Sequence, residues 1–171
     1  YEESMQILKP YIDSGALVVK SGKFSPNETN VPGWRTDLAS KRMDEILDTV
    51  GYCANGGVKL DGILSPSDCL SDGIIFTLKK KGYTPSNIPV ITGQDATAKA
   101  LQNVKEGYQA MTIYKSRDDL HDAVIDMVRS ISSGKKANIN DTTTYNNGLK
   151  DMDSFPCTPE LIDRSNLAKL L

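Results

Sequence analysis

Apolar positions in this chain fall at helical spacing in some stretches and in short unbroken runs in others. Met5, Ile7, Leu8, Tyr11 and Ile12 recur at helical spacing, and Gly15 follows where a helix would stop. Residues 16–19 then form a short apolar run of strand type. The polar stretch 21–33, with its Pro and Gly, predicts a loop, and helical spacing returns over 37–50 through Leu38, Met43, Ile46, Leu47 and Val50. The same alternation continues: strand 61–64, helix 69–81 ending at Gly82, strand 89–92, helix 96–105, strand 110–114.

Short apolar strands separated by helices of about three turns imply an α/β lobe, doubly wound around a mainly parallel sheet. The helix predicted over 118–132 has one apolar stripe, Leu120, Val124, Met127, Val128 and Ile131, and stops at Gly134. Beyond it, 138–148 is rich in Asn, Asp and Thr, which suits turns and edge strands. A last helix is predicted to start after Thr158-Pro159 and to run towards Leu171.

Composition narrows the function classes. A formal net charge of −2 and a pI near 5.4 provide no clustered basic field for nucleic acid. No apolar run approaches the ~20 residues needed to span a bilayer. The sequence starts at Tyr1 without a charged and then apolar leader, so a leader is expected to have been removed or to lie outside it. Cys53, Cys69 and Cys157 are widely spaced with no C-x-x-C pair, and three small buried or half-buried thiols are expected. The sole histidine, His121, sits mid-helix, and no nucleophile elbow, phosphate loop or dinucleotide turn is present, so neither an enzyme nor a cofactor is expected.

In an open parallel sheet, ligands meet the carboxyl ends of the strands. That rule selects the loop carrying Trp34, the turn Ser65-Pro-Ser-Asp68, the turn Gly93-Gln-Asp-Ala96, and Lys115 after the strand 110–114. Asp95 at such a rim can accept hydrogen bonds from two neighbouring sugar hydroxyls, or it can cap the helix expected from Ala96. Asp68 presents the same two options, with capping favoured because its helix begins at the next residue. The Trp34 ring can stack on the apolar face of a pyranose or be buried for packing, and Lys115 can donate to a hydroxyl or ring oxygen or be a solvated surface group.

Val90-Ile-Thr-Gly-Gln-Asp-Ala96 is similar to the V-x-G-x-D-A turn of the type I periplasmic sugar-binding proteins of ABC importers. Gly107-Tyr-Gln-Ala-Met-Thr-Ile-Tyr-Lys115 and Asn140-Asp-Thr-Thr-Thr-Tyr-Asn-Asn-Gly148 resemble their xylose and multiple-sugar branch. The resemblance covers nearly the whole chain. It implies an extracytoplasmic receptor, periplasmic or lipid-anchored on the outer face of the membrane. Such a receptor binds an aldose (xylose, glucose, galactose or arabinose) between two lobes and delivers it to a membrane permease. Asp95 and Lys115 are then the leading sugar contacts, Trp34 stacks, and Ser67 stands where many relatives have a sugar-contacting asparagine, ahead of Asp68. A serine there is shorter and reaches ligand through water.

The resemblance also implies that this sequence is a carboxy-terminal portion of such a protein. Residues 1–115 correspond to the carboxy-terminal lobe, 116–148 to a crossover segment that would complete the amino-terminal lobe, and 149–171 to a return strand and tail. The 118–132 helix, lacking that lobe, is expected to self-associate through its stripe. A sugar-responsive transcriptional repressor core shares the fold and is the alternative.

Overall fold

The computed structural model describes residues 1–171 and divides them into two compact units, Tyr1–Thr112 with Asp163–Leu171, and Ile113–Ile162. The first unit holds α1 (Glu2–Asp13), α2 (Pro26–Thr29), α3 (Thr36–Val50), β1 (Gly62–Ile63), α4 (Asp68–Lys80), β2 (Val90–Ile91) and α5 (Ala98–Glu106). The chain passes through β3 (Met111–Tyr114) into the second unit, which holds α6 (Arg117–Ser132), and returns through β4 (Glu160–Asp163).

In the first unit β1 and β2 pair in parallel, Gly62 with Val90 and Ile63 with Ile91. Ile91 anchors a cluster with Met43, Leu47, Ile75, Leu78 and Tyr83, so α3 and α4 form a helical layer against the sheet. α3 and α4 approach closely at Gly73, where a Cβ would sit 2.2 Å from the Thr36 carbonyl oxygen. Across the same contact the Ser40 and Thr77 hydroxyls are 2.7 Å apart. α4 carries Asp68 in its first turn and Lys79 and Lys80 in its last, each sign placed where the helix dipole favours it. The Arg164 guanidinium donates to the carbonyls of Val104 and Lys105, both at 3.2 Å, and ties the carboxy-terminal stretch to the end of α5.

In the second unit α6 has no buried side chain, and Leu120, Val124, Val128 and Ile131 are each at least half exposed. His121 is exposed on this helix. The polar stretch beyond it makes antiparallel bridges, Asp141 with Ser154 and Asn146 with Asp151, as its turn-rich composition predicts.

Three expectations are corrected. Residues 16–19 form no strand, and Leu17 and Val18 are exposed: an apolar run becomes a strand only when a neighbour takes its backbone hydrogen bonds. The terminal helix is replaced by β4 and a 3₁₀ turn, Leu167–Lys169. There Asp163 Oδ1 accepts from the Ser165 amide at 2.7 Å, and Asn166 Oδ1 accepts from the Asp163 amide at 2.9 Å. Such local side-chain bonds compete with helix. Cys53 and Cys69 are exposed, with Cys157 half-buried, and all three thiols are free.

Candidate functional site

Because β1 and β2 are parallel, the turns that leave them emerge at one rim and run into α4 and α5 respectively. Thr92 staples the two turns together. Its hydroxyl donates to the Ser65 carbonyl at 2.9 Å and accepts from the Ser65 amide at 2.8 Å. Ser71 Oγ adds a part-buried hydrogen bond to the Thr92 carbonyl at 2.8 Å. Ser67 is the N-cap of α4: its hydroxyl accepts from the Cys69 amide at 3.3 Å, and the residue is 5% exposed.

Asp68 is therefore not the cap. It is the first residue of α4, 2% exposed, and its carboxylate is the hub of a buried network. Oδ1 accepts from Gln109 Nε2 at 3.0 Å and from the Thr112 hydroxyl at 2.9 Å, while Oδ2 accepts from the Thr97 amide at 2.9 Å. Thr112 Oγ1 in turn accepts from the Ala96 amide at 3.1 Å, and the Asp68 amide donates to the Gln94 carbonyl at 2.9 Å. A buried carboxylate is stable only with such a full set of donors, and the amino end of α4 adds a favourable field. The packing leaves no room at Gly93, where a Cβ would lie 2.2 Å from Asp68 Oδ1 and 2.3 Å from Gln109 Nε2.

Asp95 does not cap α5 either. The helix begins at Ala98 with Thr97 as its cap, whose hydroxyl accepts from the Ala100 amide at 3.2 Å. Asp95 is exposed, and it and Ala96 adopt positive φ, 106° and 49°. Two such non-glycine residues in succession cost about 1–3 kcal/mol each, so the surrounding bonds must over-determine the turn. Trp34 closes the 3₁₀ turn Pro32–Trp34 and is 60% exposed, so the ring is not a core packing element. Lys115 is exposed and follows β3 directly in the chain, within the second compact unit.

Reasoning from the sequence missed Thr97, Gln109 and Thr112. A glycine directly after the strand, with aspartates in both rim turns, signals crowding there but not which side chains supply it. No group of three or more His, Cys, Asp or Glu residues stands close enough to hold a metal ion, and no helix is long and apolar enough to cross a membrane.

Residues 1–136 match the model of the periplasmic binding protein domain. Over 173 aligned residues the sequence is 39% identical to the multiple sugar-binding periplasmic receptor ChvE of Rhizobium radiobacter, spanning 100% of this chain and 48% of that protein. It is 31% identical to the D-xylose-binding periplasmic protein of Escherichia coli K12 over 95% of this chain and 44% of the relative. An ABC transporter solute-binding protein from Clostridium phytofermentans, solved with bound β-D-glucose, is 37% identical and superposes with a TM-score of 0.87 over 97% of this chain and 50% of its own. The chain thus spans about half the length of the relatives it matches.

Proposed function

The chain belongs to the periplasmic binding protein domain family, and from that premise we propose that it is the carboxy-terminal part of an extracytoplasmic receptor that binds an aldose for an ABC-type importer. The observation that carries this reading is the exposed Asp95, presented on a strained turn at the sheet rim and backed by the buried hydrogen-bond network of Asp68. Over 97% of its length the chain is matched at 37% identity by a solute-binding protein solved with bound β-D-glucose.

A rim carboxylate accepts hydrogen bonds from two adjacent hydroxyls, and such charge-assisted bonds are about twice as strong as neutral ones. The exposed Trp34 ring offers a flat apolar face to a pyranose. Ser67, whose hydroxyl already caps α4, reaches sugar through water. Lys115 joins the set on the family pattern alone. Asp68 serves the site from behind, since its carboxylate is engaged inside the protein.

In this reading residues 1–115 form one lobe, 116–148 cross over to an amino-terminal lobe, and 149–171 return. Sugar closes the two lobes together, and the loaded receptor docks on a membrane permease. The protein lies outside the cytoplasm, in the periplasm or lipid-anchored on the outer face of the membrane. It works by binding and delivery, without a reaction or a cofactor. A repressor core is not favoured, because relatives that span nearly all of this chain are named as sugar-binding periplasmic proteins. The apolar stripe of α6, exposed in this chain, is proposed to mediate self-association when the amino-terminal lobe is absent.

Calorimetry with D-glucose, D-xylose, D-galactose and L-arabinose tests the proposal. The intact two-lobe protein is expected to bind at least one of them, and the 171-residue chain weakly or not at all. Silence from the intact protein with all four sugars overturns the function, and tight binding by this chain alone overturns the division of the site between lobes.

A further inference from the structure

Asp68, Thr112 and Gln109 form one chain of hydrogen bonds, and its outlets converge on a single turn. The Asp68 amide holds the Gln94 carbonyl, the Thr112 hydroxyl holds the Ala96 amide, and the Asp68 carboxylate holds the Thr97 amide. These three anchors flank Asp95 on both sides along the chain. A backbone gripped at 94, 96 and 97 has little freedom at 95, which accounts for two successive positive φ values at Asp95 and Ala96. Drawing the amides of 96 and 97 inward leaves the Asp95 side chain on the exposed side of the turn.

Thr112 is the element that makes the device a relay. Its oxygen accepts from the Ala96 amide while its proton goes to the Asp68 carboxylate, so one hydroxyl transmits the buried charge to the turn. Gln109 fixes the carboxylate from the other side and is itself turned by a second bond, Nε2 to the Met111 carbonyl at 3.0 Å. Gly93 is forced by the same packing, since any side chain there would strike both Asp68 and Gln109.

We propose that Thr112, acting through Asp68, is a positioning residue for sugar binding: it holds the 93–97 turn in the strained shape that presents Asp95 before sugar arrives. The proposal rests on the reading of Asp95 as the sugar acceptor. A pre-set acceptor spares the ordering cost that a mobile turn would incur on binding. The residue acts on affinity through turn geometry and touches no ligand.

Two substitutions separate the relay from plain packing. Thr112→Val keeps the shape and removes the hydroxyl, whereas Thr112→Ser keeps the hydroxyl and removes a methyl. In the intact two-lobe protein, with whichever of D-glucose and D-xylose binds more tightly as probe, Thr112→Val is expected to weaken affinity about 10- to 100-fold, the range for a bond to a charged group. Thr112→Ser is expected to stay close to wild type. Ile75→Val, a core change in the same unit, serves as a control that lowers stability and leaves affinity intact. Amide hydrogen exchange at Ala96 and Thr97 is measured on the same variants and is expected to quicken in Thr112→Val alone.

Wild-type affinity in Thr112→Val overturns the proposal. So does the packing pattern, in which Val is tolerated and Ser is not. An affinity loss in Ile75→Val as large as that in Thr112→Val also overturns it, because general destabilisation then explains the effect. If the intact protein binds neither sugar, the exchange rates decide the matter alone: unchanged protection at Ala96 and Thr97 in Thr112→Val overturns the positioning role.

Discussion

At Asp95 local conformation and the proposed sugar binding pull in opposite directions. The residue sits at φ 106°, a region that favours glycine, so Asp95→Gly should relieve strain and raise stability by about 1 kcal/mol while removing the proposed sugar acceptor. Urea unfolding and calorimetry on the intact protein check both halves. Asp68→Ala should behave in the opposite way at the level of stability. It strips the acceptor from Gln109, Thr112 and the Thr97 amide, and each buried donor left unsatisfied costs about 1–3 kcal/mol, so unfolding should shift to markedly lower urea. Trp34→Ala, at a 60% exposed position, should leave stability within about 0.5 kcal/mol of wild type and still reduce sugar affinity. An unchanged affinity there would remove Trp34 from the site.

At the scale of elements, the α3–α4 contact leaves no room for a side chain at Gly73. Gly73→Ala places a methyl 2.2 Å from the Thr36 carbonyl oxygen, and a helix backbone cannot step aside as a flexible side chain can. The helices must separate, and overpacking of this kind costs about 1–3 kcal/mol. Chemical denaturation of the variant measures it, and wild-type stability would show that α4 slides without cost. The rim turns depend on this contact only indirectly, through the amino end of α4 that carries Ser67 and Asp68. A modest affinity loss should therefore accompany the stability loss.

At the scale of the whole molecule, α6 leaves Leu120, Val124, Val128 and Ile131 at least half exposed on one stripe. Burying a large aliphatic side chain gains about 1.5–3 kcal/mol, so a stripe of this length favours association. Sedimentation of the 171-residue chain over a concentration series should show association that Val124→Lys reduces. A chain that stays monomeric at high concentration with and without the substitution contradicts the expectation. On the proposed two-lobe reading the same substitution should instead lower the stability of the intact protein, because the stripe would then pack on the other lobe.

The sequence by itself determined the principal helices of both units and the turns that leave β1 and β2. Periodicity, stop glycines and polar first turns are local signals, and α1, α3, α4 and α6 lie within a few residues of where the spacing puts them. The rim turn that carries Asp95 was legible for a similar reason, since it follows a parallel strand, whereas the loop of Trp34 follows residues 16–19, which form no strand. What only the tertiary structure decided depends on partners distant in the chain. Residues 16–19 look like a strand and are none, because an apolar run carries no information about whether a neighbour will take its hydrogen bonds. β4 replaced an expected helix because pairing with β3 and the Asp163 turn outweighed a helix-compatible spacing. The role of Asp68 was misjudged because its partners Gln109 and Thr112 lie 41 and 44 residues away, a separation at which composition and spacing are silent and only folding brings donor to acceptor.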